Sequence, residues 1–403
     1  MARGWRDVVS ENKDEICLIM PRGTTHGWGV CGRYIATELA RMVSLRFCTE
    51  PFDVQDIGQA DQYALLSRCF MSEEELRKSS DGNGLITLDT PIIQAIQGVN
   101  FRPWLTKVRG DKTIGYTFFE ETVILKDDLR WADDYYDVVA VGSSWCKDVV
   151  GSYGFSRTRT VIQGVDPVLF HQIGEKKKYH DAFVIFSGGK LEFRKGQDLV
   201  IRAVKVMQDK YKDVVLVNSW YNYWPESIAT MSMSPYINFE IASGSYEDAI
   251  RRLVSKNGLD PERVVILPPL PNAHMPDIYR DSDIGLFPNR CEGGTNLVLM
   301  EYMACGRPVV ASFLSGQRDV LNEDFALLVH GKQALDIKRN GRMIAKWQDP
   351  DLDEMIARLD WAYHNRHAIR EMGKRGANAM SSFTWKETAQ SFYDLCKQET
   401  IIQ

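Results

Sequence analysis

The sequence PNRCEGGTNLVLMEYMACGRPVV, residues 288–310, carries the strongest structural signal in this chain. It follows an apolar strand, and its paired glycines, Gly293 and Gly294, predict a tight loop. Thr295 is a favourable N-cap for the apolar helix that comes next. The amides in the first turn of a helix have no partner within the helix and together attract an anion. The stretch therefore predicts a strand–loop–helix unit whose loop binds a negatively charged ligand.

Glu301 makes the prediction for this loop more specific. It lies two turns into the predicted helix, roughly 8–9 Å from the first amides at 1.5 Å per residue. That is about the reach from a diphosphate to the ribose of the same nucleotide. Because Leu297, Met300 and Ala304 share its helix face, the carboxylate lies in an apolar stripe and needs a partner. Two ribose hydroxyls would satisfy it, and a partly exposed salt bridge is the alternative.

A second glycine-rich signal is FSGGKLEFRKG, residues 186–196. A strand ends in two glycines, which leave room for a ligand against the backbone at Gly189. Lys190, Arg194 and Lys195 then place positive charge just before a helix. Cations at a helix N-terminus oppose the helix dipole unless an anion lies between them. The pattern indicates a diphosphate site, and an ordinary solvated basic turn is the alternative.

A third signal has the literal form GxGxxG and comprises Gly27, Gly29 and Gly32, with Glu50 following 18 residues later. This resembles the dinucleotide fingerprint, in which the acidic residue binds a ribose hydroxyl. Residues 21–26 separate the preceding strand from the first glycine, however, where the fingerprint has almost no spacer. A nicotinamide site, a loop that faces another ligand, and a tight turn without a ligand all remain open.

Apolar strands alternate with helices through both halves of the chain, beginning at Glu15–Met20 and again at Ala182–Phe186. In the first half, further strands are expected near Leu45–Cys48, Leu85–Leu88, Thr113–Thr117 and Asp137–Val141. This alternation predicts parallel sheets covered by helices on both faces. The polar segment His171–His180 indicates a linker between the two halves. After Gln333 we expect mostly helix, ending in a helix over Trp385–Gln398.

Composition excludes several classes of protein. The 403 residues are 44% hydrophobic and 26% charged, with a net charge of −5, values typical of a globular protein and unfavourable for nucleic-acid binding. No apolar run reaches the roughly 18–20 residues of a membrane span, and the first 15 residues show no signal peptide. The eight cysteines form no CxxC and the histidines no HExxH. We therefore expect a reduced, cytoplasmic protein without a metal site.

Taken together, these motifs resemble the GT-B glycosyltransferases of the retaining family 4 type. The resemblance rests on Lys190, on Lys195-Gly196 and on the Glu292–Glu301 stretch in the second half. In the first half it rests on YTFFEET (116–122), DVVAVGSS (137–144), GVD (164–166) and Phe170. It implies two Rossmann-like, doubly wound domains that face a central cleft. Residues 1–172 would bind the acceptor and residues 181–384 the donor, with a C-terminal helix in 385–403 crossing back to the first domain.

The resemblance also implies roles for individual residues. Lys190 and Lys195 would bind the donor diphosphate, and Glu301 would hold the ribose. Glu292 would contact hydroxyls of the transferred sugar, although it lies nine positions from Glu301 where the family has eight. The full expected donor site is Gly27, Gly29, Gly189, Lys190, Arg194, Lys195, Gly294, Thr295, Asn296, Leu297 and Glu301, and the catalytic candidates are Glu120 and Glu292.

Glu120 lies where the family places a residue near the anomeric carbon. Its carboxylate would stabilise an oxocarbenium-like transition state or orient the acceptor. An inter-domain salt bridge is the alternative, and neighbouring Glu121 is a rival for the role. In this family the leaving phosphate is often described as accepting the proton of the acceptor, which agrees with the lack of an evident nucleophile–base pair.

We therefore expect a metal-independent, cofactor-free glycosyltransferase that uses a UDP- or GDP-sugar and retains anomeric configuration. A glycan, a lipid-linked glycan, a small molecule or a modified DNA base remain open as acceptors, to be distinguished by loops 51–80 and 100–111. Peripheral attachment to a membrane and the oligomeric state also stay open. The alternatives are an NAD-dependent oxidoreductase that uses Gly27–Gly32 and a catalytically silent nucleotide-sugar binder.

Overall fold

A computed structural model describes residues 14–78, 84–222, 224–240 and 244–398. Two parallel sheets organise these residues, one from each half of the chain. The expectation of no signal peptide falls on the N-terminal residues outside these ranges. Residues 79–80 of the predicted acceptor loop and residues 399–403 of the C-terminal segment also lie outside them.

In the sheet of the first domain, the side chains of the central strands are buried on both faces. In spatial order its strands are Thr158–Thr160, Val138–Val141, Thr113–Thr117, Ile92–Gln97, Glu15–Ile19, Ser44–Cys48 and Phe70–Met71, and Arg102–Pro103 pairs antiparallel with Ile92–Gln97. Its helices are Gly27–Met42, Val54–Ile57, Ala60–Cys69, Glu73–Lys78, Lys126–Tyr135 and Ser144–Gly151. The continuous apolar strands predicted this doubly wound arrangement.

Two strands of the first half differ from prediction. The central strand Ile92–Gln97 was missed, because it directly follows a proline and contains two glutamines that mask its apolar character. The segment predicted as strand at residues 85–88 contributes only Ile86–Thr87. That strand pairs with Val108–Arg109 outside the main sheet.

The sheet of the second domain repeats the pattern. Its strands in spatial order are Val264–Ile266, Val214–Trp220, Phe183–Gly189, Ile284–Phe287, Val309–Ser312 and Leu327–Val329, all parallel. Its helices are Gln197–Lys210, Tyr246–Lys256, Met275–Arg280, Leu297–Ala304, Leu352–His364 and Arg366–Met380, with 3-10 segments at Phe193–Lys195, Pro225–Met233, Pro261–Arg263, Asn272–His274 and Ser315–Val320.

The prediction of mostly helix after Gln333 is wrong at its start. Strands Gly331–Arg339 and Arg342–Pro350 form an antiparallel hairpin before the last helices begin. The turn residues Asn340 and Gly341 both have positive φ, 50° and 77°, as a two-residue hairpin turn requires. We refer to residues 331–350 as the hairpin.

The last helix, Trp385–Lys397, packs against the first domain, as predicted. The indole of Trp385 stacks on the ring of Tyr34 with centroids 5.3 Å apart, and Phe392 lies edge-on to Tyr116 at 4.8 Å. This helix thereby becomes part of the core of the first domain. No helix within the described residues is long and apolar enough to span a membrane.

Candidate active site

A cavity of about 400 Å³ lies between the two domains. Its walls come from loops that follow the carboxyl ends of parallel strands, where ligands bind in doubly wound folds. Most of the residues predicted from sequence line it. They are Gly27, Glu120, Gly189, Lys190, Arg194, Lys195, Glu292, Gly294, Asn296, Leu297 and Glu301.

Gly29 is not among the residues that line the cavity. It lies inside helix Gly27–Met42, and a Cβ there would approach the Arg22 carbonyl oxygen to 2.9 Å and the His26 ring to 2.6 Å. At Gly32 a Cβ would lie 2.0 Å from the Pro21 carbonyl oxygen. These two glycines therefore let the helix pack against its own preceding loop, which corrects the prediction that Gly29 lines the cleft.

Thr295 was predicted to be the N-cap of this helix, but Asn296 occupies that position. The Thr295 side chain is buried and its hydroxyl donates to the Met300 sulfur at 2.9 Å, so it does not face the cavity. Asn296 precedes the helix in a left-handed conformation with φ of 67°, which asparagine tolerates better than most residues. Its side chain donates to the Gln317 side-chain oxygen at 3.0 Å. The helix consequently begins at Leu297, and Asn296, Leu297 and Val298 all line the cavity.

The basic residues of the second domain lie in a network of ion pairs. Lys195 Nζ lies 2.6 Å from a Glu292 oxygen, and Lys190 Nζ lies 3.1 Å from a Glu192 oxygen. Arg194 contacts three carboxylates, those of Glu120 at 3.2 Å, Glu292 at 3.1 Å and Glu192 at 3.3 Å. In this structure three cations are balanced by three carboxylates.

Glu292 is held as a carboxylate within this network. Burial opposes its charge, but Lys195 and Arg194 hold its pKa below the usual value. Its backbone amide donates to the Ser315 hydroxyl at 2.7 Å. Ser315 has a positive φ of 47°, a conformation that is costly for a non-glycine residue outside a constrained site. Glu292 is therefore fixed from both its side chain and its backbone.

Glu301 is buried without an ion pair among the described residues. The side-chain nitrogen of Asn272 lies 3.5 Å from one carboxyl oxygen, and the Tyr279 hydroxyl lies 3.4 Å from the other. Burial raises the pKa of Glu301 to about 8. Such long contacts leave the hydrogen-bonding capacity of the carboxyl group largely unused within the protein.

Glu120 connects the two domains, as the inter-domain alternative predicted. Its carboxylate accepts from the Gly293 amide at 3.4 Å in addition to its pairing with Arg194. Its backbone carbonyl accepts from the Trp347 indole of the hairpin at 2.8 Å. The rival Glu121 instead pairs with Arg339 of the hairpin at 2.9 Å and is not among the cavity-lining residues.

Sequence reasoning missed a second cluster of ion pairs, which is centred on Arg290. Arg290 is fully buried, with its guanidinium 2.8 Å from both Asp198 and Asp349 and 3.7 Å from the centre of the Phe193 ring. Asp349 belongs to the hairpin, which thus anchors the loop that carries Lys190 and Lys195. The Asn340-Gly341 pair between two segments of alternating apolar and polar residues is the sequence signal that could have revealed this hairpin.

No cluster of three or more histidine, cysteine, aspartate or glutamate side chains in the described ranges has the arrangement of a metal site. All eight cysteines lie in the described ranges and are free.

Comparison with known proteins places this geometry in context. Residues 221–344 match the family model of the glycosyl transferases group 1. A D-inositol 3-phosphate glycosyltransferase from Xylanimonas cellulosilytica is 26% identical over 221 residues, covering 55% of this chain and 43% of that protein. One from Catenulispora acidiphila is 29% identical over 191 residues, covering 44% and 41%. The chain spans less than half the length of these curated relatives.

Solved structures resemble almost the whole chain. Sucrose-phosphate synthase from Thermosynechococcus elongatus superposes with a TM-score of 0.66 at 16% identity, covering 95% of this chain and 98% of that one. Anabaena Alr3699/HepE in complex with UDP and glucose superposes with a TM-score of 0.63 at 12% identity, covering 95% and 99%. The chain has the GT-B fold, and its predicted resemblance to the GT-B glycosyltransferases is confirmed.

Proposed function

We propose that this GT-B protein is a glycosyltransferase that moves a sugar from a nucleotide-diphosphate sugar to an acceptor hydroxyl. The observation that carries the proposal is that Lys190, Lys195 and the N-terminus of helix Leu297–Ala304 line the cavity that also contains Glu301. The first three suit a diphosphate and the last suits a ribose. The group 1 match over residues 221–344 supports the same donor-binding role.

The proposed reaction places the leaving nucleoside diphosphate against the second domain. Lys190, Lys195 and the first-turn amides stabilise its developing charge, so the proposal requires neither a metal nor a cofactor. Glu292 contacts the hydroxyls of the transferred sugar. Glu120, on the facing wall, stabilises positive charge near the anomeric carbon or orients the acceptor. We propose retention of configuration, with the leaving phosphate accepting the proton of the acceptor.

Donor binding must rearrange the ion pairs. Lys195 is paired with Glu292 and Lys190 with Glu192, so a diphosphate has to compete with carboxylates for both amines. Arg194 remains between Glu120, Glu192 and Glu292, and we propose that it holds these carboxylates in place while also facing the diphosphate. Movement of the two domains about residues 171–180 would accompany this exchange.

The donor base is left open between uridine and guanosine. The HepE structure, which contains UDP and glucose, makes UDP-glucose the first donor to test. We also propose the division into residues 1–172 and 181–384 as acceptor and donor domains, and a cytoplasmic location.

The nicotinamide alternative is not favoured. Gly29 and Gly32 lie where helix Gly27–Met42 packs closely against its preceding loop. Their lack of a side chain is therefore explained by this packing, without a pyrophosphate. Glu50 is exposed and does not line the cavity. A silent nucleotide-sugar binder differs from an enzyme only in turnover, which release of the nucleoside diphosphate measures directly.

Thermal unfolding with UDP, GDP, ADP or NAD⁺, each in EDTA, tests the proposal on wild type and Glu301→Ala. A ligand at about 100 times its Kd stabilises by about 2.7 kcal/mol, a shift of a few degrees. We expect one nucleoside diphosphate to stabilise wild type and not Glu301→Ala, whereas the exposed control Glu262→Ala responds like wild type. Stabilisation by NAD⁺ alone would refute the proposal, and a response that requires added metal would refute its metal-independent form.

A further inference from the structure

The wall of the cavity contributed by the first domain differs in chemistry from the opposite wall. It presents Thr25, His26, Trp28, Phe118, Glu120 and Gln163 to the cavity. Among the described residues that line the cavity, the first domain contributes no lysine or arginine. If the donor lies on the second domain, this is the wall that an acceptor meets.

The charges of the cavity are already matched before any ligand enters. Lys190, Arg194 and Lys195 are paired with the carboxylates of Glu120, Glu192 and Glu292. A donor diphosphate adds negative charge and takes up the two lysines. The loaded cavity is then negative, and in a partly desolvated site a second phosphate would be repelled.

His26 does not compensate for this charge. Its pKa is lowered from the usual value by burial, by Arg22 and by Lys190. The ring is therefore neutral near pH 7 and acts as a hydrogen-bonding group. Arg22 and Arg33 of the first domain do not line the cavity. Arg22 pairs with Asp56 at 3.2 Å, and Arg33 donates to the side chain of Asn272 at 3.3 Å.

Aromatic rings supply the contact surface of the acceptor wall. Trp28 packs edge-to-face against Phe118 with centroids 4.7 Å apart, and it remains half-buried at the cavity. Across the cleft, Trp224 of the second domain lies edge-on to His26 at 6.1 Å. The C–H faces of a pyranose ring pack on such surfaces, while Gln163 and Thr25 offer hydrogen bonds to hydroxyl groups.

From this wall we infer that the acceptor is a neutral saccharide, bound by ring stacking and hydroxyl contacts rather than through a phosphate. The inference rests on the proposed function and narrows its acceptor. It separates this chain from its curated relatives, whose name specifies inositol 3-phosphate as acceptor. Since the chain spans less than half their length, their acceptor does not transfer with the match.

The test compares neutral and phosphorylated members of matched pairs on the nucleotide-loaded protein. Glucose is paired with glucose 6-phosphate and myo-inositol with its 3-phosphate, each titrated by calorimetry into protein saturated with the nucleoside diphosphate that stabilises it. We expect the neutral member of at least one pair to bind at least tenfold more tightly. A phosphorylated member that binds as well as or better than its neutral partner overturns the inference, as does a lack of binding by every neutral member.

Two variants link any binding to the acceptor wall. Trp28→Leu should weaken binding of the neutral sugar at least fivefold while leaving nucleotide affinity unchanged, and Trp361→Leu, on an exposed helix face outside the cavity, should change neither. Equal sugar affinity in Trp28→Leu and wild type would place the saccharide elsewhere and overturn the inference. Failure of every nucleotide to bind wild type is a different result, because it refutes the proposed function itself.

Discussion

The indole Nε1 of Trp347 donates a 2.8 Å hydrogen bond to the backbone carbonyl of Glu120. This bond joins the hairpin of the second domain to the loop of the first domain that carries a catalytic candidate. The amides of Thr122 and Val123 strengthen the connection, each donating to the Ile344 carbonyl at 3.0 Å. The position of Glu120 in the cleft therefore depends on a segment more than 200 residues away in sequence.

Trp347→Phe should remove this hydrogen bond while keeping an aromatic ring in place. A typical net contribution of about 0.5–1.5 kcal/mol predicts a measurably lower midpoint of thermal unfolding. We also expect sugar transfer to fall more than nucleotide affinity, because Glu120 loses its backbone anchor and the donor site does not. Trp361→Phe, at a side chain that is 43% exposed, is the control. A Trp347→Phe protein with wild-type stability and turnover would show that the bond positions nothing.

Arg290→Met should be among the most destabilising single changes in the second domain. It leaves the buried carboxylates of Asp198 and Asp349 without their cation, and breaking a buried ion pair costs about 3–5 kcal/mol. Arg251→Met removes only an exposed helical pair with Glu247 and should cost less than about 0.5 kcal/mol. Chemical denaturation of both variants measures the difference, and similar midpoints would contradict the prediction.

Glu301→Gln should change how stability depends on pH. The unfolded carboxyl ionises near pH 4.5 and the folded one near 8, so between these values unfolding releases a proton. Wild-type stability from this group is therefore full below pH 4.5 and falls as pH rises to about 8, by at most about 1.4 kcal/mol per unit. Glutamine does not ionise, so the stability of the variant relative to wild type should rise across this window.

Thermal unfolding at pH 5, 6.5 and 8 checks the relative stability of Glu301→Gln. The exposed control Glu262→Gln should keep a constant offset from wild type across the same series. A constant offset for Glu301→Gln as well would mean that this carboxyl is not held protonated in the folded protein.

Two glycines of the GxGxxG sequence should respond oppositely to alanine. A Cβ at Gly32 would lie 2.0 Å from the Pro21 carbonyl oxygen, whereas a Cβ at Gly27 meets nothing within 4 Å. Overpacking typically costs about 1–3 kcal/mol, so Gly32→Ala should be clearly destabilised. Gly27→Ala should match or exceed wild-type stability, because alanine favours the helix. The unfolding midpoints decide, and equal destabilisation would indicate a role for the glycines other than helix packing.

Lys195→Gln should weaken nucleoside diphosphate binding about 10- to 100-fold, since charge-assisted hydrogen bonds are worth about 1.5–3 kcal/mol. Lys205→Gln, at a half-buried position outside the cavity where the amine pairs with Asp209, should leave affinity unchanged. Calorimetric titration with the preferred nucleotide distinguishes them. Unchanged affinity in Lys195→Gln would remove this lysine from the donor site, whose residue roles are otherwise still predictions.

Several parts of this protein were predictable from sequence because their causes are local. The alternation of strands and helices follows from apolar periodicity, and the glycine pair at 293–294 predicts the loop before the apolar helix Leu297–Ala304. Each of three predicted residues lies a few positions from the end of a strand or the start of a helix: Lys190, Lys195 and Glu301. Because the carboxyl ends of parallel strands lie at one edge of the sheet, these residues line the same cavity.

Other features depended on contacts between segments far apart in the chain. Because Asn296 has a left-handed backbone conformation, the helix begins after Asn296 rather than after Thr295. The side chain of Asn296 is held by a hydrogen bond to Gln317. Gly29 is needed for close packing of its helix against the preceding loop and does not line the cavity. Periodicity and loop chemistry act over a few residues, so they were enough to predict most of the groups that line the cavity. The pairing of Glu120 with Arg194 and its hydrogen bond to the hairpin emerge only in the folded protein, because they depend on how the two sheets face each other.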